Sequence, residues 1–213
     1  MVKDKRVRVP IFPLANSIIF PGVYLPLHIF EDRYKQMLRD LLSTGSELAI
    51  SYSPELQPGQ HYPSRICGVG PVKVLQTNPN GESDIVVFGL RRVRFESFAQ
   101  EVPYLIGEGE LLDIDREMPQ STHDQLLHDI QEMLINWVFA NYEDSTRAIQ
   151  MFKEMKDLEI LSNFVVFYFV QDMEQKQKML EENSLEVKAQ FVWQTLKDFD
   201  GSDAEVNLPL GPS

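Results

Sequence analysis

Few residues in this chain of 213 are placed to do chemistry. None of its four histidines belongs to a His-Glu-x-x-His motif, the helical spacing that binds zinc in metalloproteases. His123 and His128 are five positions apart, a spacing that places two side chains on one helical face less well than four does. We therefore interpret these two histidines as polar surface and predict no metal site.

Cys67 and the pair His28 and Glu31 are the remaining candidates for nucleophilic or acid–base chemistry. A cysteine becomes reactive when a neighbouring base or cation stabilises its thiolate, whereas a lone buried cysteine is the more common arrangement. Glu31 and Asp32 also suit the first turn of a helix, where acidic side chains interact favourably with the helix dipole. We favour these structural interpretations and predict no catalytic residue; a hydrolase that uses His28, Glu31 or Cys67 is an alternative hypothesis.

Motifs that bind phosphate or present a serine nucleophile are absent from the sequence. No glycine begins a Gly-x4-Gly-Lys-Ser/Thr loop, no Gly-x-Gly-x-x-Gly opens a helix, and there is no Gly-x-Ser-x-Gly elbow. A single cysteine also excludes an internal disulfide and a zinc site built from several cysteines. We predict a protein that is not an enzyme and needs no cofactor.

Arg91, Arg92 and Arg94 form the only dense basic cluster in the sequence. Alternation along a strand places Arg92 and Arg94 on one face, opposite Val93 and Phe95. We interpret this basic strand face as solvated surface. The alternative is a patch for phosphate or an acidic partner, and it is the only support for RNA or nucleotide binding.

The segment Ser53–Ser64 is the candidate for a binding element. It contains three prolines and one glycine, so we predict a loop, and loops of about this length without regular structure often act as binding elements or lids. Five residues in and beside it supply apolar area without an obvious place in a core: Tyr52, Leu56, His61, Tyr62 and Pro63. They form our candidate peptide-binding loop; the alternative is a mobile connector.

The elements that position these residues differ between the two halves of the chain. Eleven of the thirteen prolines and nine of the eleven glycines lie at or before Pro119, so turns dominate the first half. Phe20-Pro21-Gly22 predicts a turn, and the helical spacing of apolar residues from Phe30 to Leu41, followed by Gly45, predicts one helix. We expect residues 1–117 to form five or six short strands in a small twisted sheet or partly closed barrel.

Residues 118–200 have the apolar periodicity of helices. Ser121–Asp124 fits a capping box, and Asp144–Thr146, Asp157 and Ser184 can each cap a later helix. The run Phe164–Val170 is rich in β-branched and aromatic residues, so its local propensity also fits a strand. We predict a four- or five-helix bundle, followed by a flexible tail over residues 201–213.

The net charge and hydropathy of the chain argue against binding to nucleic acid and against a membrane segment. The formal net charge is −12 at pH 7, and −10 of it falls on residues 118–213. A negative chain disfavours nucleic acid, whose affinity depends mainly on lysines and arginines that neutralise phosphates. The longest apolar run is far shorter than the roughly 20 residues of a transmembrane helix, and the N-terminus has no apolar signal core. We expect a soluble, cytoplasmic protein with no membrane segment.

Several motifs resemble the N-terminal (LON) domain of Lon proteases. The most specific are VPIFPL at Val9–Leu14, IIFPG at Ile18–Gly22, LPL at Leu25–Leu27 and FEDRY at Phe30–Tyr34. Further matches are Cys67–Gly70, Phe88–Phe95, Pro103–Leu105 and, in the helical half, Glu174–Glu181. The resemblance covers about residues 6–198, and the segment Ile29–Tyr34 is most similar to short, freestanding LON-domain proteins of bacteria.

The resemblance implies an α+β fold, with a PUA-like β-barrel of about six strands and a helix followed by a C-terminal helical bundle. It also implies that Phe164–Val170 is helical. In full-length Lon this region helps to recognise substrates for an ATPase and a Ser–Lys peptidase, and we expect neither of those in this chain.

We therefore expect a non-catalytic module that binds polypeptide substrates or partner proteins. Its site would be an apolar patch on the barrel and its junction with the helices. Its role would be that of an adaptor or regulator of a separate protease. The alternative is RNA or nucleotide binding, which occurs among PUA-like barrels.

The motif residues of the first half are types that shape the backbone. Prolines fix φ and lack an amide donor, and glycine permits a backbone that a side chain would block. We expect Gly89 to let the chain bend before the strand Arg91–Phe95. We predict a structural role for six motif residues: Pro13, Phe20, Pro21, Gly22, Pro26 and Gly89.

Overall fold

The computed structural model describes residues 5–57, 60, 61, 63–199, 206 and 208, and only the backbone of 55–57, 60 and 61. The chain divides into two compact units, the first ending at Asp113 and the second beginning at Ile114. The boundary that we predict from sequence, after residue 117, lies a few positions further along the chain.

The first unit is rich in strands. Its described residues form β1 (Arg6–Leu14), β2 (Tyr24–Ile29), β3 (Leu48–Tyr52), β4 (Glu55–Gln57), β5 (Gln60–His61), β6 (Ile66–Gly70), β7 (Val72–Thr77), β8 (Ser83–Phe88), β9 (Arg91–Gln100) and β10 (Leu105–Leu112). There are more strands than the five or six predicted, because several are too short to give a clear alternating pattern.

Five of these strands close a barrel in the order β1, β10, β9, β6, β3. β1 and β3 pair in parallel, and the other neighbours are antiparallel. Alternate side chains point inward along each strand, and they form a core of Val9, Ile11, Ala49, Cys67, Val69, Val93 and Phe95. The predicted barrel is thus confirmed, and it is fully closed.

A second sheet has the order β2, β8, β7. The turn that precedes β2 is hydrogen-bonded to Gly89, the residue that follows β8. Gly22 has a φ of 87°, as the third residue of a type II turn requires. Its amide donates a 2.8 Å hydrogen bond to the Gly89 carbonyl, and the Gly89 amide donates to the Val23 carbonyl. A Cβ on Gly89 would lie 2.0 Å from the Phe20 carbonyl oxygen, so Gly89 permits a close backbone approach.

One helix, α1 (Asp32–Thr44), follows β2. Its buried face carries Tyr34, Met37, Leu38 and Leu41, and it ends at Gly45 in the left-handed conformation. The predicted helix and its predicted stop are both confirmed.

The second unit is helical in its described residues. These form α2 (Gln120–Asn141), α3 (Thr146–Glu154), α4 (Leu158–Phe169), α5 (Met173–Glu181) and α6 (Leu185–Asp198). Helix α2 contacts α3, α4 and α6, and α4 also contacts α5 and α6. This arrangement confirms the predicted bundle of four or five helices. Among the residues described, no helix combines the length and apolar character needed to cross a membrane.

Helix α4 contains most of the segment whose local propensity was ambiguous. It buries eight of its twelve residues, which explains why its sequence lacks a polar face. Asp157 caps it, because its Oδ1 accepts hydrogen bonds from the amides of Glu159 and Ile160 at 2.8 and 3.2 Å. Helical packing therefore overrides the local strand propensity.

Two of the predicted helix caps have different outcomes. Ser184 caps α6 by accepting a hydrogen bond from the Val187 amide, as predicted. The capping box at Ser121–Asp124 is wrong, because α2 already begins at Gln120 and Pro119 occupies the cap position without a side-chain bond. The His123 amide donates to the Pro119 carbonyl, so Ser121 lies inside the first turn.

The predicted loop and tail lie only partly within the described residues. In place of an irregular Ser53–Ser64 loop, β4 and β5 pair as a short antiparallel ladder. Most of the predicted tail 201–213 lies outside the described residues, but Val206 is buried and its carbonyl accepts a 2.8 Å hydrogen bond from Tyr142 Oη. At Val206 the expectation of a flexible tail is therefore wrong.

Candidate functional site

A cleft of about 550 Å³ opens on the barrel unit. Its walls come from the end of β1, from the junction of β2 with α1, and from the connection between β9 and β10. The antiparallel register of β1 and β10 places Ile11 opposite Leu105. Residues far apart in the sequence, such as Phe12 and Tyr104, consequently meet in one cleft.

Four aromatic residues and three prolines contribute to the cleft lining. The rings of Phe12 and Tyr34 pack edge to face, with 4.4 Å between their centroids, a favourable aromatic geometry. Both residues are buried, whereas Phe30, just before α1, is 59% exposed. Further apolar lining comes from Pro13, Leu14, Leu27, Pro63, Pro103 and Leu105. The cleft therefore offers an apolar surface that a ligand can cover.

Arg33 lines the cleft, and two contacts hold its side chain in place. Its guanidinium lies 2.8 Å from Glu31 Oε2, and its Cζ lies 4.5 Å from the centre of the Tyr34 ring. An ion pair and a cation–π contact together orient the side chain. Burial raises the pKa of the Tyr34 phenol, so this ring stays neutral at physiological pH.

His28 lies at the edge of the cleft between two carboxylates. Its Nδ1 is 2.7 Å from Asp84 Oδ1, and its Nε2 is 3.6 Å from Glu82 Oε2. β2 and β8 pair His28 directly opposite Asp84, so the contact follows from strand register. The hydrogen bond with Asp84 raises the pKa of the imidazole above its ordinary value, and the charge of Glu82 adds to the shift.

Tyr104 anchors the connection between β9 and β10, which forms part of the cleft wall. Its Oη donates a 2.8 Å hydrogen bond to Asp40 Oδ2 on α1, and its carbonyl accepts one from Gln100 Nε2. Burial, with the hydrogen bond to Asp40, raises the pKa of Tyr104 to about 12. The β9–β10 connection that lines the cleft is thus held by hydrogen bonds to α1 and to Gln100 at the end of β9.

The structure places only part of the predicted peptide-binding loop at the cleft. Pro63 lines the cleft, whereas Tyr52 ends β3 as a half-buried residue that is not part of the cleft lining. Leu56 and His61 lie in β4 and β5, and their side chains are outside the described part of the chain. Tyr62 lies outside the described residues altogether.

The predicted basic strand face is wrong for Arg92. Arg92 is 1% exposed, and its guanidinium donates a hydrogen bond to the Asp113 carbonyl at 3.1 Å. Arg94 is exposed but faces Glu110 across the β9–β10 pair, 3.8 Å away. Alternation correctly gives the side of the strand but does not reveal what covers it.

The residues of the hydrolase alternative do not form a catalytic group. Cys67 is fully buried in the barrel core, where its Sγ donates to the Ser64 carbonyl. His28 and Glu31 both line the cleft, but the former contacts Asp84 and Glu82 whereas the latter pairs with Arg33. Within the described residues, no cluster of His, Cys, Asp and Glu could hold a metal ion.

The six motif residues that we predict to be structural lie in different environments. Phe20 is fully buried, and Pro21-Gly22 forms the turn against Gly89. Pro26 lies in β2, an edge strand of its sheet, opposite Val86, a position where a missing donor is tolerated. Pro13 lines the cleft, so one of the six also contributes to the candidate site.

Sequence analysis did not identify Phe12, Phe30, Tyr34 or Tyr104 as site residues. Each is part of a motif that we assigned to the fold. Phe30 gave no separate signal, because it fits the helical spacing that continues to Leu41 and we counted it as part of that helix, whereas α1 begins only at Asp32. The contribution of Tyr104 depends on the pairing of β1 with β10, which local sequence does not show.

Comparisons with known sequences place the chain beside one family of domains. A family profile described as the ATP-dependent protease La (LON) substrate-binding domain matches residues 8–198. The Lon protease of Flavobacterium johnsoniae is 22% identical over 189 residues, which are 86% of this chain and 23% of that protein. The Lon protease of Chloroherpeton thalassium is 26% identical over 190 residues, 85% of this chain and 22% of that protein. The chain spans about a quarter of the length of the curated relatives that it matches.

Comparisons with solved structures agree on the fold. The N-terminal domain of the Mycobacterium avium complex Lon protease matches with a TM-score of 0.67 and 17% identity, over 90% of this chain and 99% of that chain. A Lon N-terminal domain protein from Xanthomonas campestris matches with a TM-score of 0.62 and 19% identity, over 88% and 98%. At these identities the likeness shows a shared α+β fold.

Proposed function

The chain belongs to the LON substrate-binding domain family, and we propose that it binds extended polypeptide segments in the barrel cleft without catalysing a reaction on them. The observation that carries this proposal is Phe30, a phenylalanine left 59% exposed at a cleft whose lining includes three further aromatic residues and three prolines. Exposed apolar area of this kind is a mark of an interaction site.

The dimensions of the cleft favour a segment of chain over a folded surface. Its volume of about 550 Å³ lies within the range of ligand sites, roughly 300–1,000 Å³. A cleft of that size accepts a few side chains. An unfolded polypeptide offers apolar side chains that a folded protein buries, so unfolded segments are the proposed ligands.

A direct test uses lactalbumin that has been reduced and carboxymethylated, so that it cannot refold, and labelled with fluorescein. We expect its fluorescence anisotropy to rise when the protein is added, and the native, disulfide-bonded form to give a much smaller change. Phe30→Ala should weaken binding about fivefold or more, since truncation of a buried aromatic contact commonly costs more than 1 kcal/mol.

Phe139→Ala is the matched control for that test. Phe139 has the same side chain, is 74% exposed, and lies on α2 in the helical unit. Its truncation should leave the affinity unchanged. Equal losses in both variants, or no binding by the wild type, would overturn the proposal.

We further propose that binding makes the protein an adaptor or regulator of a separate protease. The relatives that support this idea are themselves named Lon proteases. Degradation of the labelled lactalbumin by purified Lon protease from the same organism gives the test. An adaptor would accelerate degradation and a competing regulator would slow it, and Phe30→Ala would remove either effect; an unchanged rate with excess wild type would refute the role.

A cytoplasmic location is part of this proposal, because a partnership with a protease requires a shared compartment. A single cysteine, which cannot form an internal disulfide, fits a reducing compartment. Cell fractionation with an antibody to the protein would test it, and recovery in the membrane or exported fraction would contradict it.

The RNA-binding alternative loses its main support. It depended on Arg92 and Arg94 as one exposed face, and Arg92 is buried while Arg94 lies opposite Glu110. Salt-dependent binding of a labelled RNA that is lost in Arg94→Glu would restore it.

A further inference from the structure

Two acidic and two basic side chains line the cleft. The carboxylates of Glu31 and Glu101 line it, as do Arg33 and His28. His28 also contacts the carboxylates of Asp84 and Glu82. With these two neighbours of His28, four carboxylates lie in or beside the cleft lining.

Both cationic groups are already engaged within the protein. Arg33 pairs with Glu31 at 2.8 Å and lies over the Tyr34 ring. His28 is bonded to Asp84 at 2.7 Å. Neither group is positioned to attract an acidic ligand, because each has a carboxylate of the protein beside it.

Glu101 differs from these residues, since its carboxylate is exposed and makes no hydrogen bond or ion pair within the described part of the chain. It lies in the connection between β9 and β10, next to Val102, which is 82% exposed. A free carboxylate beside an exposed apolar side chain can receive a cationic residue that neighbours an apolar one.

We propose that the cleft selects apolar segments flanked by lysine or arginine, with Glu101 as the residue that sets this preference. The proposal rests on the proposed polypeptide binding and names the class of segment that is bound. Complementary charge at the edge of an interface governs which partners associate, and like charge excludes others. Acidic segments would meet the exposed carboxylate of Glu101 and be disfavoured.

Three fluorescein-labelled peptides test the selection. They share one apolar core of leucine and phenylalanine and carry two lysines, two glutamines or two glutamates on each side. At low salt we expect the lysine-flanked peptide to bind about fivefold more tightly than the glutamine-flanked peptide, and the glutamate-flanked peptide to bind most weakly. The differences should shrink at 0.5 M salt, where exposed charges are screened.

Glu101→Gln should reduce the lysine preference to less than about twofold, and Glu101→Lys should reverse it. Glu143→Gln is the matched control, because it removes the same charge from an exposed glutamate of the helical unit, and it should keep the preference. Equal binding of all three peptides to the wild type, or a preference unaffected by Glu101→Gln, would overturn this inference alone. Absence of binding by every peptide would overturn it together with the proposed function.

Discussion

Tyr104, the last residue before β10, donates a 2.8 Å hydrogen bond to Asp40 on α1, the only helix described in the barrel unit. Tyr104 is buried and lines the cleft on one side and a smaller cavity of about 220 Å³, which Asp40 also lines, on the other. This bond connects α1 and the β9–β10 connection, two of the segments that line the cleft, so cleft geometry and barrel stability depend on the same contact.

Replacement of the tyrosine tests this contact. Tyr104→Phe removes the hydroxyl and leaves the Asp40 carboxylate without its donor, which should lower the free energy of unfolding by about 1.5–3 kcal/mol. Urea unfolding followed by circular dichroism gives the value. Tyr34→Phe is the control, because Tyr34 is also buried but its hydroxyl makes no hydrogen bond within the described residues; similar losses in both variants would contradict the role of the bond.

Alanine substitutions at Gly22 and Gly89 should lower the free energy of unfolding by different amounts. Gly22→Ala forces alanine to a φ of 87° and should cost about 1–2 kcal/mol. Gly89→Ala brings a Cβ to 2.0 Å from the Phe20 carbonyl oxygen, and a backbone atom cannot move away cheaply, so the cost should be about 3 kcal/mol or more. Thermal unfolding ranks the two variants, and an equal or reversed order would show that the backbone there yields easily.

Helix α4 depends on its cap. Asp157→Ala removes the acceptor for two amides and should destabilise the protein by about 1 kcal/mol. Ser121→Ala should change stability by less than about 0.5 kcal/mol, since Ser121 lies within α2 rather than at its cap. A larger loss from the Ser121 substitution would reinstate the capping box that the sequence suggested.

His28 gives a prediction for pH. Because the bond to Asp84 raises its pKa in the folded state, its contribution to stability is fully present below the unfolded-state pKa of roughly 6.5. That contribution is lost as pH rises through the higher folded-state pKa. A titration of the imidazole by NMR should show the raised pKa, and Asp84→Asn should lower it; an identical pKa in that variant would assign the shift to another group.

Residues that repeat at a regular spacing were predictable from the sequence. Tyr34, Met37, Leu38 and Leu41 recur as a helix requires, and α1 forms with those residues buried. The alternation of Arg92 with Val93 was also correct, but Arg92 is buried because burial depends on what packs over a strand and not on its own pattern.

The cleft could not be predicted, because tertiary pairing assembles it. The pairing of β1 with β10 brings Phe12 beside Tyr104, and Phe30 joins them from the connection between β2 and α1. No local spacing connects them. The composition of Ser53–Ser64 predicted a binding loop, but among its described residues only Pro63 lines the cleft.

The most direct measurement of the central claim is an amide NMR titration of the isotopically labelled protein with the lysine-flanked peptide. Polypeptide binding in the barrel cleft predicts that the largest shift changes fall on Leu14, Phe30, Tyr34, Glu101 and Tyr104, all of which line the cleft, and that Phe30→Ala weakens the titration. Shift changes confined to the helical unit, or no changes at millimolar peptide, would contradict the account.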